Sequence, residues 1–428
     1  MSSRPMPRQR SCIDLLFPRV SWAVLGCALL LGVPRGRALA QSAEVGSART
    51  EGSEPAVDGV EGISEVSASS LRLGPLQVGM FVDAYAGWQT GGPGTLATLS
   101  EHRAFSGQGA TLRAENGLSL AFLGFDAQYD AGSFGVVANL RFGPAAAIFH
   151  GESDFSFGVD HLTQAYALYR PVPQLELDLG MFLSPFGVEA LESWKNPNYT
   201  ISALYTYGQP NWHMGLRATW ELADSLSLMA LVVNGANNIS ETQQNAGLNQ
   251  TPTVGGSVVY HASSALSCAL GGMLALDTDH NDDEGFDGFA DFVATLKLGA
   301  LTTSLNVDYI FTRDGGPSGA NRHFVGGSLT TGYRFNEIVG IAARGEYLRD
   351  DANYDGSDLW QLLTATLTLD VEPIPNRPYL IIRFENRFEK SNQRVFGEDS
   401  QGTADPGDDS YGRTWFESVL GVVVTTAP

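Results

Sequence analysis

Residues 300–311 read ALTTSLNVDYIF. Along an extended chain, successive side chains point to opposite faces. Leu301, Thr303, Leu305, Val307, Tyr309 and Phe311 therefore share one face, and Thr302, Ser304, Asn306 and Asp308 share the other. One side of this segment suits an apolar surrounding and the other suits water. The pattern recurs. In 378–388, Leu380, Ile382, Phe384 and Phe388 oppose Arg383, Glu385 and Arg387. In 337–349, Val339, Ile341, Ala343 and Tyr347 oppose Arg344 and Glu346. In 213–222, Met214, Leu216, Ala218, Trp220 and Leu222 oppose Arg217, Thr219 and Glu221. A soluble β-sandwich also alternates, but it needs no unbroken series of segments this long.

Reading outward from 300–311, the alternation places strands at 76–89, 117–130, 133–142, 161–170, 174–183, 212–222, 225–234, 253–262, 265–277, 287–298, 300–311, 323–335, 337–349, 359–371, 378–389 and 413–425. The face assignment is ambiguous in 161–170 and 253–262, so fourteen or eighteen strands stay open beside sixteen. Tight connections such as Asp130-Ala131-Gly132, Pro171-Val172-Pro173, Ala223-Asp224, Ser263-Ser264 and Asn336-Glu337 alternate with longer polar ones. Transmembrane barrels have this rhythm, with short periplasmic turns, longer extracellular loops and an even strand number. The expected fold is a closed antiparallel transmembrane β-barrel of about sixteen strands over residues 73–428, with both termini periplasmic. Closure follows from the solvent: hydrocarbon offers no partner for an unpaired backbone group, and only a closed sheet has no edge. Trp88, Tyr129, Phe142, Trp220, Tyr260, Tyr333, Phe335 and Phe388, near strand ends, suit interfacial aromatic girdles.

Composition supports this reading. Charged residues are 17% of the chain and aromatics 10%, with 49 glycines, against roughly 25% charged in soluble domains. Mean hydropathy is -0.06, as expected where outward apolar and inward polar residues average out. A helical membrane protein needs apolar runs of about 20 residues, and only Ser21 to Val33 approaches one. That run follows Arg4, Arg8, Arg10 and Arg19 and precedes Ala38-Leu39-Ala40, so residues 1–40 read as a cleaved secretory signal. A lipoprotein site at Val24-Leu25-Gly26-Cys27 is the weaker alternative, because the apolar run continues past Cys27. Residues 41–72, rich in Ser, Gly, Ala and Glu, read as a flexible periplasmic lead-in. Loss of 1–40 would remove six Arg and Asp14 and move the formal charge from -21 to -26. So acidic a chain is a poor ligand for nucleic acid. Cys268 would then be the single remaining cysteine, read as a small residue in a strand.

Residues 177–220, LDLGMFLSPFGVEALESWKNPNYTISALYTYGQPNWHMGLRATW, resemble the outer-membrane β-barrel porins called OmpL-like, or porin-2. Gly180, Phe182, Ser184, Pro185, Gly187, Asn198, Tyr199, Pro210, His213, Gly215 and Arg217 carry the likeness. Met181 stands where a Lys is usual, and the chain ends in Ala427-Pro428 where many such barrels end on an aromatic. The resemblance covers about a tenth of the chain. It implies localisation in the outer membrane and passive entry of solutes, with the solute generally unassigned.

In a channel the lumen is the site. Alternation points Asp126, Glu176, Asp178, Glu221, Asp291, Asp308, Glu346 and Glu385 inward, together with Arg141, Arg217, Arg334, Arg344, Arg383 and Arg387. Charges are tolerated there because water or a partner meets them. The alternative is that they only solvate and brace the wall. The 184–211 connection, with Pro185, Pro197 and Pro210, is the candidate constriction; folded inward, it would turn Glu189, Glu192, Trp194, Lys195, Tyr199, Tyr205 and Tyr207 to the solute. Asp351-Ala352-Asn353-Tyr354-Asp355-Gly356 matches the first half of a calcium loop, but Leu362 stands where the loop needs Glu. The 277–284 and 398–409 stretches are merely acidic, so no metal and no cofactor are expected. His213, beside Trp212, is the best candidate for hydrolase chemistry, yet no nucleophile-elbow, zinc-protease, phosphate-loop or dinucleotide motif accompanies it. The expected function is a diffusion channel for small hydrophilic solutes or ions, with a weak cation preference. A barrel hydrolase and a non-conducting anchoring or adhesion barrel are the alternatives. Expected partners are outer-membrane lipid, the solutes and, in a homotrimer, further copies of the chain.

Overall fold

The computed structural model describes residues 71–89, 117–150, 161–235, 252–276, 287–313, 319–351, 359–374, 379–393, 396–397 and 411–426. The segment read as signal (1–40), residues 41–70 of the 41–72 lead-in, the acidic stretch 277–284 and the whole of 398–409 lie outside the described residues, as do 352–358 of the calcium-like loop.

Barrel strands are β1 (Leu76–Gln89), β2 (Gly117–Asp130), β3 (Phe134–Phe142), β4 (Leu162–Val172), β5 (Leu175–Leu183), β6 (Trp212–Ala223), β7 (Leu226–Val233), β8 (Thr253–His261), β9 (Leu266–Ala275), β10 (Gly288–Leu298), β11 (Leu301–Thr312), β12 (Arg322–Arg334), β13 (Val339–Asp350), β14 (Trp360–Val371), β15 (Leu380–Ser391) and β16 (Thr414–Thr425). Each pairs antiparallel with the next, and β16 returns to β1 through a register from Glu417↔Gln89 to Thr425↔Phe81. The result is a closed 16-strand antiparallel barrel. Leu71–Leu73 extends the β1 edge through Leu71↔Val78 and Leu73↔Leu76, so the end of the segment read as lead-in belongs to the sheet. No helix among the described residues is long and apolar enough to cross a membrane.

The alternation becomes two surfaces. On β13, Gly340, Ala342, Arg344, Glu346, Leu348 and Asp350 are buried inward, while Ala343, Gly345, Tyr347 and Arg349 are exposed. Exposed Leu329, Leu363, Leu367, Phe384 and Phe388 form part of the apolar outer band. Exposure that would be a liability in water is the favourable state in lipid.

Two local readings change. Pro171-Val172 belongs to β4 rather than to the turn, and pairing with β5 is irregular between Tyr169 and Val172. Alternation turns Met181 and Trp212 to the lipid side, but their exposures are 3% and 1%. A helix, α1 (Pro144–His150), brings Phe149 into the same apolar cluster, and the His150 ring lies 6.2 Å from that of Trp212.

A charge on the outer band tests the placement in lipid. Leu367→Arg, near the middle of β14, is expected to cost about 2–4 kcal/mol of folding free energy in liposomes, and Val371→Arg at the strand end only about 0–1. Urea titration of the two variants checks this; equal costs would remove the bilayer from the explanation.

Candidate functional site

The connection between β5 and β6, residues 184–211, lies inside the barrel. Most of its residues are buried, and its backbone is bonded to inward side chains of β10, β11, β13 and β15. A loop buried this way must find a partner for each peptide group, and the charged wall supplies many of them.

Both ends of the loop are tied to one patch. Asp291 on β10 faces Asp308 on β11 in register. The Asn306 Nδ2 donates to Asp291 at 2.7 Å and to Asp308 at 3.1 Å. Gly187 N donates to Asp291 at 3.2 Å, and Val188 N to Asn306 Oδ1 at 3.2 Å. From the far end of the loop, Gln209 Nε2 donates to Asp308 at 2.8 Å and to Asn306 at 2.9 Å. Gly187 has φ +82, and a Cβ there would meet the Gln209 amide at 2.3 Å. The Pro-Phe-Gly turn of the motif is thus required by this crossing.

Between those ends the loop meets the opposite wall. Tyr199 N and Thr200 N donate to Glu385 at 2.6 and 3.0 Å, and the Thr200 hydroxyl donates to it as well. Leu204 N donates to Glu346 at 3.0 Å. Guanidiniums take the carbonyls: Arg344 donates to Thr200 O at 2.8 Å, Arg387 to Ile201 O at 2.7 Å and Arg383 to Ser193 O at 2.5 Å. Arg344 also reaches Glu189 at 2.6 Å, and Asn198 Nδ2 reaches Thr368 at 2.7 Å. A short helix, α2 (Ala203–Gly208), starts at Ser202, whose hydroxyl accepts from Tyr205 N at 2.9 Å.

The far side is held by β1 and β3. Ser193 Oγ and Tyr199 OH donate to the two oxygens of Asp83 at 2.8 and 2.5 Å. Arg141 on β3 is fully buried; it pairs with Glu192 of the loop and with Asp126 at 2.8 Å. Lys195 adds a second cation 3.2 Å from Glu192. Burial works to raise the Glu192 carboxyl, but Lys195 and Arg141 outweigh it and hold it down to about 2. Burial, with Glu192 and Glu189 nearby, pushes the Tyr205 phenol well above its ordinary range.

The expectation that seven loop residues face the solute is corrected in part. Lys195 is exposed, and Trp194 and Tyr207 are half-buried. Trp194 lies edge-on to Phe81 at 4.0 Å and Tyr207 edge-on to Trp360 at 5.5 Å. Glu192, Tyr199 and Tyr205 are buried, and Glu189 is bound to Arg344 and to Ser202 N at 2.7 Å. These side chains turn to the wall because they carry the loop's attachments.

Among the lumen candidates, Asp178 pairs with Arg217 at 2.8 Å, and Glu176 with Arg170 at 2.7 Å. Arg334 bridges Asp370 and Glu372 at 2.6 and 2.5 Å. Arg344 and Arg387 both approach Glu346, at 3.2 and 3.8 Å, which joins β13 to β15 across β14. Arg383 pairs with Asp370 at 2.7 Å and not with Glu385, which is given over to the loop. Glu221 stands apart, exposed beside the Ala223–Asp224 turn. Asp370, Glu389, Thr368 and Gln209 were not among the sequence candidates. The first three were legible as inward positions of β14 and β15; no sequence signal marks Gln209.

A carboxyl whose folded pKa lies below its unfolded value stabilises fully above the unfolded value and loses that contribution as pH falls through the folded one. For Glu192 this window runs from the ordinary 4.5 down to about 2. The emission of Trp194 is expected to report loosening of the loop across that window, with the lowest-pH part absent in Glu192→Gln. Identical acid titrations of the two proteins would break the assignment.

The model of the family described as "Putative beta-barrel porin-2, OmpL-like" matches residues 75–413. No curated protein matches in sequence. Among solved structures, the chain is similar to the anion-selective porin from Comamonas acidovorans at 10% identity, TM-score 0.52, covering 82% of this chain and 99% of that one. It is similar to the outer membrane channel DcaP of Acinetobacter baumannii at 12% identity, TM-score 0.50, covering 81% and 96%. The trimer form of OmpT, an outer membrane protein of Vibrio cholerae, aligns at 10% identity and TM-score 0.50, covering 82% and 100%. At such identities these structures speak to the fold alone, and they share it. The family match, which takes in nearly the whole barrel, settles the rest: this chain belongs to the OmpL-like β-barrel porin-2 family and is an outer-membrane porin.

Proposed function

We propose that the chain is a passive diffusion channel for small hydrophilic solutes or ions, narrowed by the inward-folded 184–211 loop, with a weak preference for cations and no chemistry of its own. The observation that carries this is the loop's attachment. It is bonded at its ends to Asp291, Asn306 and Asp308 and along its length to Glu346, Glu385 and the Arg344/Arg387 pair. A segment fastened on several sides is a fixed constriction, and selection then depends on width and charge placement.

The cation preference rests on what neutralises the lumen acids. Among the described residues, the hydrogen-bond donors to Glu385, Asp291 and Asp308 are hydroxyls, amides and backbone N–H groups rather than cations. Together with 47 acidic against 26 basic residues in the whole chain, this leaves a negative potential along the path. The trimer form described for the OmpT structure makes a homotrimer the assembly we propose.

Single-channel recording in a planar bilayer under a KCl gradient tests the reading. Stepwise ohmic openings with a reversal potential of the cation-selective sign are expected. Glu385→Gln combined with Arg344→Gln, which releases the middle of the loop, is expected to raise conductance and current noise at least twofold. Silence from protein that migrates as a folded, heat-modifiable barrel would replace the open channel with a plugged, anchoring or hydrolytic one.

A further inference from the structure

The outer wall carries a groove of about 520 Å³ across β12–β16. Its floor is small, at Ala343, Gly345 and Ala365; Leu329, Leu367 and Phe388 rise at its sides. The register lines these up: Leu329 faces Gly345, Gly345 faces Ala365, and Ala365 faces Phe388. Here the wall is recessed over several strands, which gives an acyl chain somewhere to lie.

Above the groove, at the end that enters the long connections after Asp350 and Ser391, two cations point outward. Arg349 and Lys390 are exposed, on the same face as Tyr347, Leu363 and Phe388. Among the described residues, no carboxylate lies within ion-pair distance of either. The neighbouring acids Asp350 and Glu389 point inward, where Arg322 and Arg387 hold them at 2.5 and 2.6 Å. Two outward cations with no carboxylate of the described residues beside them offer a site to an external anion. Arg349 faces Gln361 and Lys390 faces Leu363 on the intervening β14. Two strand spacings and a two-residue offset set their Cα atoms about 12 Å apart. Gln361 lies between them, its amide bonded to Tyr347 OH at 2.7 Å.

We propose that this face binds an acylated, phosphorylated glycolipid of the outer leaflet, with an acyl chain in the Gly345–Ala365 groove and its phosphates at Arg349 and Lys390. The long-loop end is the extracellular end of a porin, which selects the outer leaflet. The spacing of the cations spans a headgroup larger than a single phosphodiester, which favours the glycolipid over a phospholipid. Charge pairing at the surface fixes the headgroup, and the recess replaces contacts that a smooth wall would leave to mobile lipid.

Native mass spectrometry of the refolded protein, titrated with bis-phosphorylated hexa-acyl lipid A, tests this. Arg349→Ala/Lys390→Ala is expected to weaken binding at least tenfold. So is Gly345→Leu, because a Cβ there meets no atom within 4 Å and the side chain fills the groove without disturbing the barrel. Both variants are expected to keep heat-modifiable migration and wild-type conductance, which separates this site from the channel. Wild-type affinity in either variant would overturn the proposal. So would equal affinity for dephosphorylated lipid A or for dioleoyl phosphatidylglycerol. Gly345-dependent self-association that lipid A does not displace would assign the groove to a second copy of the chain instead.

Discussion

A buried peptide group without a hydrogen-bond partner costs several kcal/mol, and every large feature of this porin answers to that cost. In the hydrocarbon it forces closure: the register between Glu417↔Gln89 and Thr425↔Phe81 removes the two edges that the strands would otherwise expose. Inside the barrel it acts a second time. The 184–211 loop has no ladder to join, so its N–H groups go to Glu385, Glu346, Asp291 and Asn306 and several carbonyls go to arginines. The charges on the wall and the position of the loop are one solution to one problem.

Close packing completes that solution. A Cβ on Gly421 would lie 2.3 Å from the Tyr199 ring, one on Gly271 2.7 Å from Phe186, and one on Gly326 2.3 Å from Leu204. These wall glycines are seats for apolar side chains of the loop, at places where any larger residue would push the loop away. Polar attachment and steric fit therefore act at the same contacts. Ion pairs alone would be a weak fastening, because desolvation offsets much of their attraction. Here the guanidiniums also satisfy carbonyls that would otherwise have no partner.

The period-2 pattern carried nearly all of the fold because lipid and lumen demand opposite chemistry at adjacent residues. Alternation gives 76–89 and 117–130 the bounds that the strands have, and most other ends differ by one or two residues. The two ambiguous segments have physical reasons. Strand β4 pairs irregularly at both ends, at Asn139/Leu140 and beyond Tyr169, so its faces shift along its length. In β8, Gly255 and Gly256 carry no side chain to mark a face. The lumen charges were legible for the same reason as the strands. Their partners were not, because Thr200 and Glu385 are 185 residues apart in sequence and no local pattern encodes a contact at that separation. The covering of Trp212 and Met181 was missed in the same way, since alternation records which side a residue faces but not what lies over it.

Because inward and outward residues alternate, neighbouring positions on one strand serve different tasks with little interference. On β13, Arg344 holds the loop while Gly345 forms the floor of the outer groove; on β15, Arg387 holds a loop carbonyl while Phe388 borders the same groove. A substitution on the outer face changes what the barrel meets in the membrane and leaves the lumen-facing attachments in place. A one-residue slip in register would exchange the two sets entirely, placing arginines in lipid and leucines against the loop's peptide groups. The unlike demands of the two faces therefore help to pin the register of the closed sheet as well as to divide its labour.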